Sequence, residues 1–124
     1  MTIPGVRWRG ESGLIVNATT DDVLAAQAMR ARWFGQRATG LQGTTHLDAN
    51  AGIWLAPTRQ VHTRRLGYPL LVIHCRETGL VILPTILMPG TVGPVVPGTR
   101  VVVELSPAVL SRVHRGDHLL WVGF

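Results

Sequence analysis

The fold is decided by residues 69–83, which read PLLVIHCRETGLVIL. Two apolar runs, 69–75 and 80–83, flank a polar tetrapeptide that has the length of a hairpin turn and ends in glycine. This pattern predicts two neighbouring strands joined by a hairpin. Four more short apolar runs, bounded by polar, glycine or proline residues, predict further strands at 13–18, 52–56, 100–105 and 118–122.

Helix signals are fewer. Thr20 precedes Asp21 and Asp22, and apolar residues follow at positions 23, 24, 28 and 29, so we expect a capped helix over 21–32. Residues 33–41 allow at most a second short helix. Ser106 before Pro107 predicts another short helix, which Gly116 ends.

Two segments are predicted to be loops. Residues 44–51 are polar. Residues 84–99 contain four prolines and three glycines, and proline does not donate a hydrogen bond within a central strand. The 84–99 loop either serves a partner or only connects two strands.

Length and composition place the chain among small globular domains. It has 124 residues, of which 46% are hydrophobic and 15% charged, and it contains 14 glycines and 8 prolines. A chain of this size forms one domain with one core. We therefore expect a loose tail over 1–12 and a single α+β, mainly β domain over 13–124. Its sheet should be curved and largely antiparallel, barrel- or sandwich-like, with two or three short helices.

The charge is positive and comes from one residue type. All 12 basic residues are arginines, against 7 acidic residues, which gives a net charge of +5. Arginine binds carboxylates and phosphates through paired hydrogen bonds, so an acidic small molecule or protein partner fits this surface. A genome that uses arginine in place of lysine would produce the same composition. The oligomeric state is not indicated.

Cysteine content and hydropathy bear on location. Cys75 is the single cysteine, which excludes an intrachain disulfide. The first residues lack the apolar stretch of a secretion signal, and the most apolar segment, 80–88, is far shorter than a membrane span. We expect a cytoplasmic protein without membrane contact.

Short motifs follow one another along the chain: RATGLQG at 37–43, GIWLAP at 52–57, VHT at 61–63, PLLVI at 69–73, VEL at 103–105 and GD at 116–117. In this order they resemble the domain of unknown function 192 family over about residues 13–122. The resemblance implies a small β-rich barrel or sandwich with short helices. It implies no activity, although relatives encoded beside pilus-assembly genes associate the family with that process.

The chain departs from the family pattern at two places. Leu71 replaces the aspartate of the family's Pro-Ile-Asp-Val strand, and Arg64, Arg65 and Leu66 replace an aromatic-methionine segment after the His-Thr pair. If that aspartate serves a family function, this chain has lost or changed it.

The densest group of polar side chains is Arg59, His62, Thr63, Arg64 and Arg65, between two predicted strands. Guanidinium groups beside an imidazole can hold a carboxylate or a phosphate, and loops often carry such sites. These five residues are the predicted ligand-binding site. The alternative is a solvated basic loop in which His62 and Thr63 bond nearby backbone.

Other motifs carry weaker chemistry. His74 and Cys75 point to opposite faces of a strand and do not form a dyad, so Cys75 is expected to be buried and inert. His114, Asp117 and His118 are too few for a structural zinc site. The loop 40–43 has the form of a Gly-x-x-Gly phosphate contact but lacks interleaved basic and aromatic residues.

The remaining aromatic residues, among them Trp33, Trp54, Tyr68 and Trp121, are expected in the core or in a pocket wall. Nucleotide-binding loops and a nucleophile elbow are absent from the sequence, so no cofactor and no metal are predicted.

Three functional hypotheses remain. The first is a non-enzymatic binding or accessory module, which the family resemblance associates with pilus assembly, and whose basic patch takes an acidic ligand or partner. The second is a small hydrolase that uses His62 with Thr63 or Asp117, which requires these groups to meet within hydrogen-bond reach. The third is a nucleic-acid-binding protein that acts through its arginines.

Overall fold

The computed structural model describes residues 10–31, 41 and 44–124. Its elements are strands and one 3₁₀ helix, because the short apolar runs separated by glycine and proline are too brief for long helices. In chain order they are β1 (Glu11–Asn17), β2 (Asp22–Ala31), β3 (Ala51–Leu55), β4 (Leu70–Cys75), β5 (Val81–Leu87), β6 (Val101–Leu105), the 3₁₀ helix (Pro107–Arg112) and β7 (Leu119–Gly123).

The seven strands form one mixed sheet in the order β5-β4-β6-β3-β2-β1-β7. Five of the six neighbouring pairs are antiparallel and only β2 with β3 is parallel, which confirms the largely antiparallel prediction. The edge strands β5 and β7 meet at one isolated bridge between Leu80 and His118, and no ladder joins them. The sheet is therefore open, and the barrel- or sandwich-like expectation is corrected to a single open mixed sheet.

The central strands β3, β4 and β6 are buried along their whole length, on both sides of the sheet, and are almost entirely apolar. On one side, alternate residues such as Ile73 and Val103 form a first core, which Val109 and Val113 around the 3₁₀ helix close at one end. On the other side, Val72 and its neighbours form a second core. The strand alternation places the buried His74 and Glu104 on the second side.

The predicted helix over 21–32 is wrong, because β2 occupies Asp22–Ala31. The register between β1 and β2 shifts twice, at Gly13/Ile15 and Ile15/Val16. An extra residue in one strand changes which side the following side chains face. Since β2 is also covered on both sides, its buried residues fall in adjacent pairs (24–25 and 28–29) and imitate a helical period.

Other boundaries also need correction. Within the described ranges the 3₁₀ helix is the only helix, fewer than the two or three expected. β5 runs through Pro84 to Leu87, into the predicted 84–99 loop, since an edge strand tolerates a residue without an N–H group. β1 begins at Glu11, inside the predicted 1–12 tail, and residues 1–9 lie outside the described residues. The sequence allows at most a short helix over 33–41, and residues 33–40 of that segment also lie outside them.

The remaining strands and the 3₁₀ helix appear where the sequence predicts them. Ser106 caps the helix by accepting a hydrogen bond from the Ala108 N–H (3.3 Å), with Pro107 at its first position. The helix ends at Arg112, before Gly116, which adopts a positive φ of 84° in the turn that leads to β7. No helix in the described part of the chain is long and apolar enough to cross a membrane.

A candidate ligand cleft at one end of the sheet

A cleft of about 720 Å³ lies at one end of the sheet, on the side of the first core. β2, β3 and β4 end there, β6 begins there, and the first three residues of β7 line it, whereas the 3₁₀ helix follows the other end of β6. The volume is in the range of pockets that bind small organic molecules. This end of the sheet is therefore the candidate functional site.

The cleft combines apolar walls with a few charged groups. Trp54 from β3 and Trp121 from β7 are its large side chains. Trp54 is 7% exposed and belongs to the first core, and Trp121 is half-buried against it. Smaller apolar lining comes from Ala56, Pro57, Val101, Leu119 and Leu120.

The polar lining consists of two arginines, one carboxylate and one threonine. Arg30 lies on β2 directly opposite Trp54, Arg100 precedes β6, and Glu77 and Thr78 form the turn between β4 and β5. Two guanidinium groups against one carboxylate give this lining a net charge of about +1. The cleft is thus suited to a ligand that carries an acidic group.

Arg30 is only partly engaged by its protein neighbours. Its Nη1 lies 3.9 Å from Glu11 Oε2, with 27% of the Arg30 side chain exposed, and its buried Nε lacks a hydrogen-bond partner among the described residues. Arg112 gives the contrast: its Nε and Nη2 donate to the two carboxylate oxygens of Asp22 at 2.7 and 2.8 Å. Arg112 has a structural role, whereas Arg30 retains donor capacity for a ligand.

The predicted ligand-binding residues 59–65 lie on the loop between β3 and β4, and four of the five are exposed. Thr63 is fully buried: its hydroxyl donates to the Met88 carbonyl at 2.6 Å, and the Thr91 N–H donates to it at 3.0 Å. Thr63 therefore joins this loop to the segment after β5. Arg59, His62, Arg64 and Arg65 remain an exposed basic loop, and none of them lines the cleft.

The groups proposed for a hydrolase lie in separate hydrogen-bond networks. The His62 ring accepts from the Arg64 N–H at 3.3 Å through Nδ1. Asp117 is buried and accepts from the Asn17 amide at 2.9 Å and from the His114 N–H at 2.8 Å. In the described part of the structure, no hydrogen bond connects His62 with Asp117 or with the Thr63 hydroxyl.

The 114–118 segment is a turn held by hydrogen bonds. Besides the contacts of Asp117, the His118 ring bonds the Thr78 carbonyl through Nε2 (2.5 Å). Among the described residues no cluster of three histidine, cysteine or acidic side chains could hold a metal ion. The Gly-Asp motif is explained by this turn, which leads the chain into β7.

Burial also explains the states of Cys75 and His74. Desolvation raises the pKa of the Cys75 thiol to about 12, so the thiol stays protonated and unreactive in the native state. Burial lowers the pKa of His74, against the effect of the nearby Leu83 and Pro94 carbonyls. Neither ring nitrogen of His74 has a hydrogen bond of good geometry within the described residues.

Comparisons with known proteins give the fold but no family. No family model matches the chain, and no curated protein matches it in sequence. It is similar to a crystal structure of a protein of unknown function from Novosphingobium aromaticivorans DSM 12444, with a TM-score of 0.78, 22% identity and coverage of 98% of this chain and 91% of that one. It is also similar to a protein described as a putative transcription regulator from Sinorhizobium meliloti 1021, with a TM-score of 0.64, 20% identity and coverage of 90% and 92%. At these identities the likeness concerns the fold alone.

Proposed function

We propose that the protein is a non-enzymatic binding module that holds a small acidic ligand in the end cleft. The observation that carries the proposal is the lining itself: two tryptophans and two arginines around about 720 Å³. Apolar walls with a few placed polar groups are typical of small-molecule sites. The sequence predicts an acidic ligand bound by the basic loop at 59–65. We keep the acidic ligand but propose Arg30 and Arg100 of the cleft as the residues that bind it.

The electrostatics of the cleft support an acidic ligand over a neutral one. Arg30 keeps an unpartnered buried Nε within the described region, and Arg100 is exposed at the start of β6. A ligand carboxylate that bonds one or both guanidinium groups would make charge-assisted hydrogen bonds, which are about twice as strong as neutral ones. Neutralisation of both arginines should therefore remove most of the affinity.

The test is thermal unfolding with a set of small carboxylates and their neutral alcohol or amide analogues. We expect some of the acids, and not their analogues, to raise the Tm of the native protein. The double variant Arg30→Gln/Arg100→Gln should lose this rise. The matched control Arg64→Gln/Arg65→Gln, in the basic loop, should retain it. If only the control loses the rise, the basic loop is the site, and if acids and analogues act alike, the proposal is wrong.

A second candidate function is nucleic-acid binding through the basic loop. Arg59, Arg64 and Arg65 are exposed on one short loop, and none of them has an ion pair among the described residues. The transcription-regulator description of one structural neighbour is consistent with this candidate. The logarithm of the binding constant for double-stranded DNA should then fall by roughly 0.9 per phosphate contacted for each tenfold rise in salt concentration. A flat salt response would exclude this candidate.

Membership of the domain of unknown function 192 family, and with it an association with pilus assembly, stays a prediction from the motif order. The hydrolase alternative has no support from hydrogen-bond geometry, since His62 bonds only the Arg64 backbone in the described part of the chain.

A further inference from the structure

Trp121 lies over a pair of glycines that face each other across β1 and β7. Gly13 is the register partner of Gly123. A methyl group added at Gly13 would lie 2.8 Å from Cζ2 of Trp121, and one added at Gly123 would lie 3.6 Å from its Nε1. The indole therefore spans both glycines, where no side chain stands between the ring and the sheet. A side chain at Gly13 would collide with the ring, whereas a methyl group at Gly123 would only come into ordinary van der Waals contact with it.

The indole rests against the sheet at Gly13 and also lines the cleft, and it is only half-buried. Across the cleft end, Trp54 on β3 and the small residues Ala56 and Pro57 add further apolar lining. A ring held in this way offers a preformed stacking surface that loses little freedom when a ligand binds. Flat molecules use such a surface better than bulky ones.

The charges of the lining limit the ligand further. Arg30 and Arg100 attract an anion, whereas Glu77 in the turn after β4 repels additional negative charge. The lining sums to about +1, and Glu11, 3.9 Å from Arg30, lowers the local positive charge further. A carboxylate, which carries one negative charge, therefore fits better than a phosphate monoester, which carries about two at neutral pH. A ring with one carboxylate can place its apolar face on Trp121 and its charge near the arginines.

Resting on the proposed function, we propose that the ligand of the end cleft is a planar aromatic monocarboxylate, with its ring stacked on Trp121 and its carboxylate bound by Arg30 and Arg100. This assigns Trp121 as the residue that selects the shape of the ligand. Arg30 and Arg100 select its charge.

Four matched probes separate shape from charge in isothermal titration: 1-naphthaleneacetate, cyclohexylacetate, 1-naphthaleneethanol and 1-naphthyl phosphate. We expect naphthaleneacetate to bind at least about fivefold more tightly than cyclohexylacetate, which has the charge but no flat ring. It should bind at least about tenfold more tightly than the neutral alcohol, which has the ring but no charge. Tighter binding of the phosphate, or no binding of naphthaleneacetate at millimolar concentration, would overturn the inference.

Variants assign these preferences to residues. Trp121→Leu should weaken naphthaleneacetate by about 5- to 100-fold and change cyclohexylacetate by less than about twofold. Trp121→Phe, which keeps a stacking ring, should recover most of the affinity and shows whether the loss reflects the ring or the fold. An equal loss for both acids in Trp121→Leu, with an unchanged Tm, would refute the stacking role.

Binding of the probes to the double variant separates a wrong preference for a flat ring from a wrong binding site. If both acids bind alike and both are lost in Arg30→Gln/Arg100→Gln, the acidic site stands and the preference for a flat ring is wrong. If the double variant binds every probe as the native protein does, the proposed function itself is wrong. Arg64→Gln/Arg65→Gln is the control for the same change of net charge and should leave all four affinities unchanged.

Discussion

Replacement of Glu104 by glutamine should stabilise the protein at alkaline pH and leave it nearly unchanged at acidic pH. Glu104 lies on β6 between Val72 of β4 and Ile53 of β3, is 5% exposed, and has its pKa raised by burial from 4.5 to about 7. The native state therefore holds this proton to a higher pH than the unfolded chain. Stability falls as the pH rises from about 4.5 to about 7, because ionisation then leaves a buried charge.

The size of the effect follows from the two pKa values. The difference between about 7 and 4.5, at ~1.36 kcal/mol per pKa unit, corresponds to ~3 kcal/mol of unfolding free energy. Glutamine has nearly the shape of the protonated side chain and carries no charge at any pH. The advantage of Glu104→Gln over the native protein should therefore grow by ~3 kcal/mol between acidic and alkaline conditions.

Urea unfolding followed by circular dichroism, at about pH 4 and about pH 8.5, measures this difference. Glu77→Gln, which makes the same exchange at an exposed turn, controls for the loss of one negative charge. A Glu104→Gln effect of equal size at both pH values would refute the reasoning, because the carboxylate would then have a compensating partner. A destabilisation that increases with pH would refute it more strongly, since it would mean that the charged form is the favoured one.

Three further perturbations have defined outcomes. In thermal melts, Gly79→Ala should destabilise the protein by more than Gly90→Ala. Both glycines have a positive φ, at which an alanine costs ~1–2 kcal/mol. Of the two, only Gly79 would place the added methyl group against a backbone carbonyl, that of Leu119. Cys75 should react with a maleimide only at the rate of unfolding, since its thiol is buried and its pKa is about 12; rapid labelling of the native protein would contradict this. Asp117→Ala should lower the unfolding free energy, measured in urea, by ~2 kcal/mol or more, because it removes the acceptor of the Asn17 amide and of the His114 N–H. An unchanged unfolding free energy would show that water replaces the carboxylate.

The strands were predictable where the apolar runs are short and the turns are marked. The hairpin of β4 and β5 is visible in the sequence because 76–79 combines hairpin length with a glycine, and Gly79 indeed has φ 92°. β2 was not predictable in the same way. Its register shifts and its burial on both sides produce paired apolar positions, and Thr20 with the following aspartates imitates a helix cap. Asp21, with φ 57°, in fact lies in the turn before β2.

The candidate site was less predictable than the fold because its parts are distant in sequence and individually ordinary. A search for clustered polar residues favours the loop at 59–65, where arginines are neighbours in the chain. The cleft instead takes Arg30 from β2 and Arg100 from the position before β6, and these two strands do not pair. The prediction that Trp54 and Trp121 lie in the core or in a pocket wall was correct, yet nothing in their spacing relates them.

The place of Trp121 in the cleft becomes visible only through the register of the strands. Gly13 and Gly123 look like ordinary strand glycines, and their pairing, which fixes the position of the Trp121 ring, depends on β7 returning alongside β1. A pair of residues 110 positions apart thus determines the surface on which we expect a ligand to stack. In an open mixed sheet, strand order decides which residues meet in an end cleft. A local motif search therefore finds loops first, and sites of this kind become visible only once the sheet is assembled.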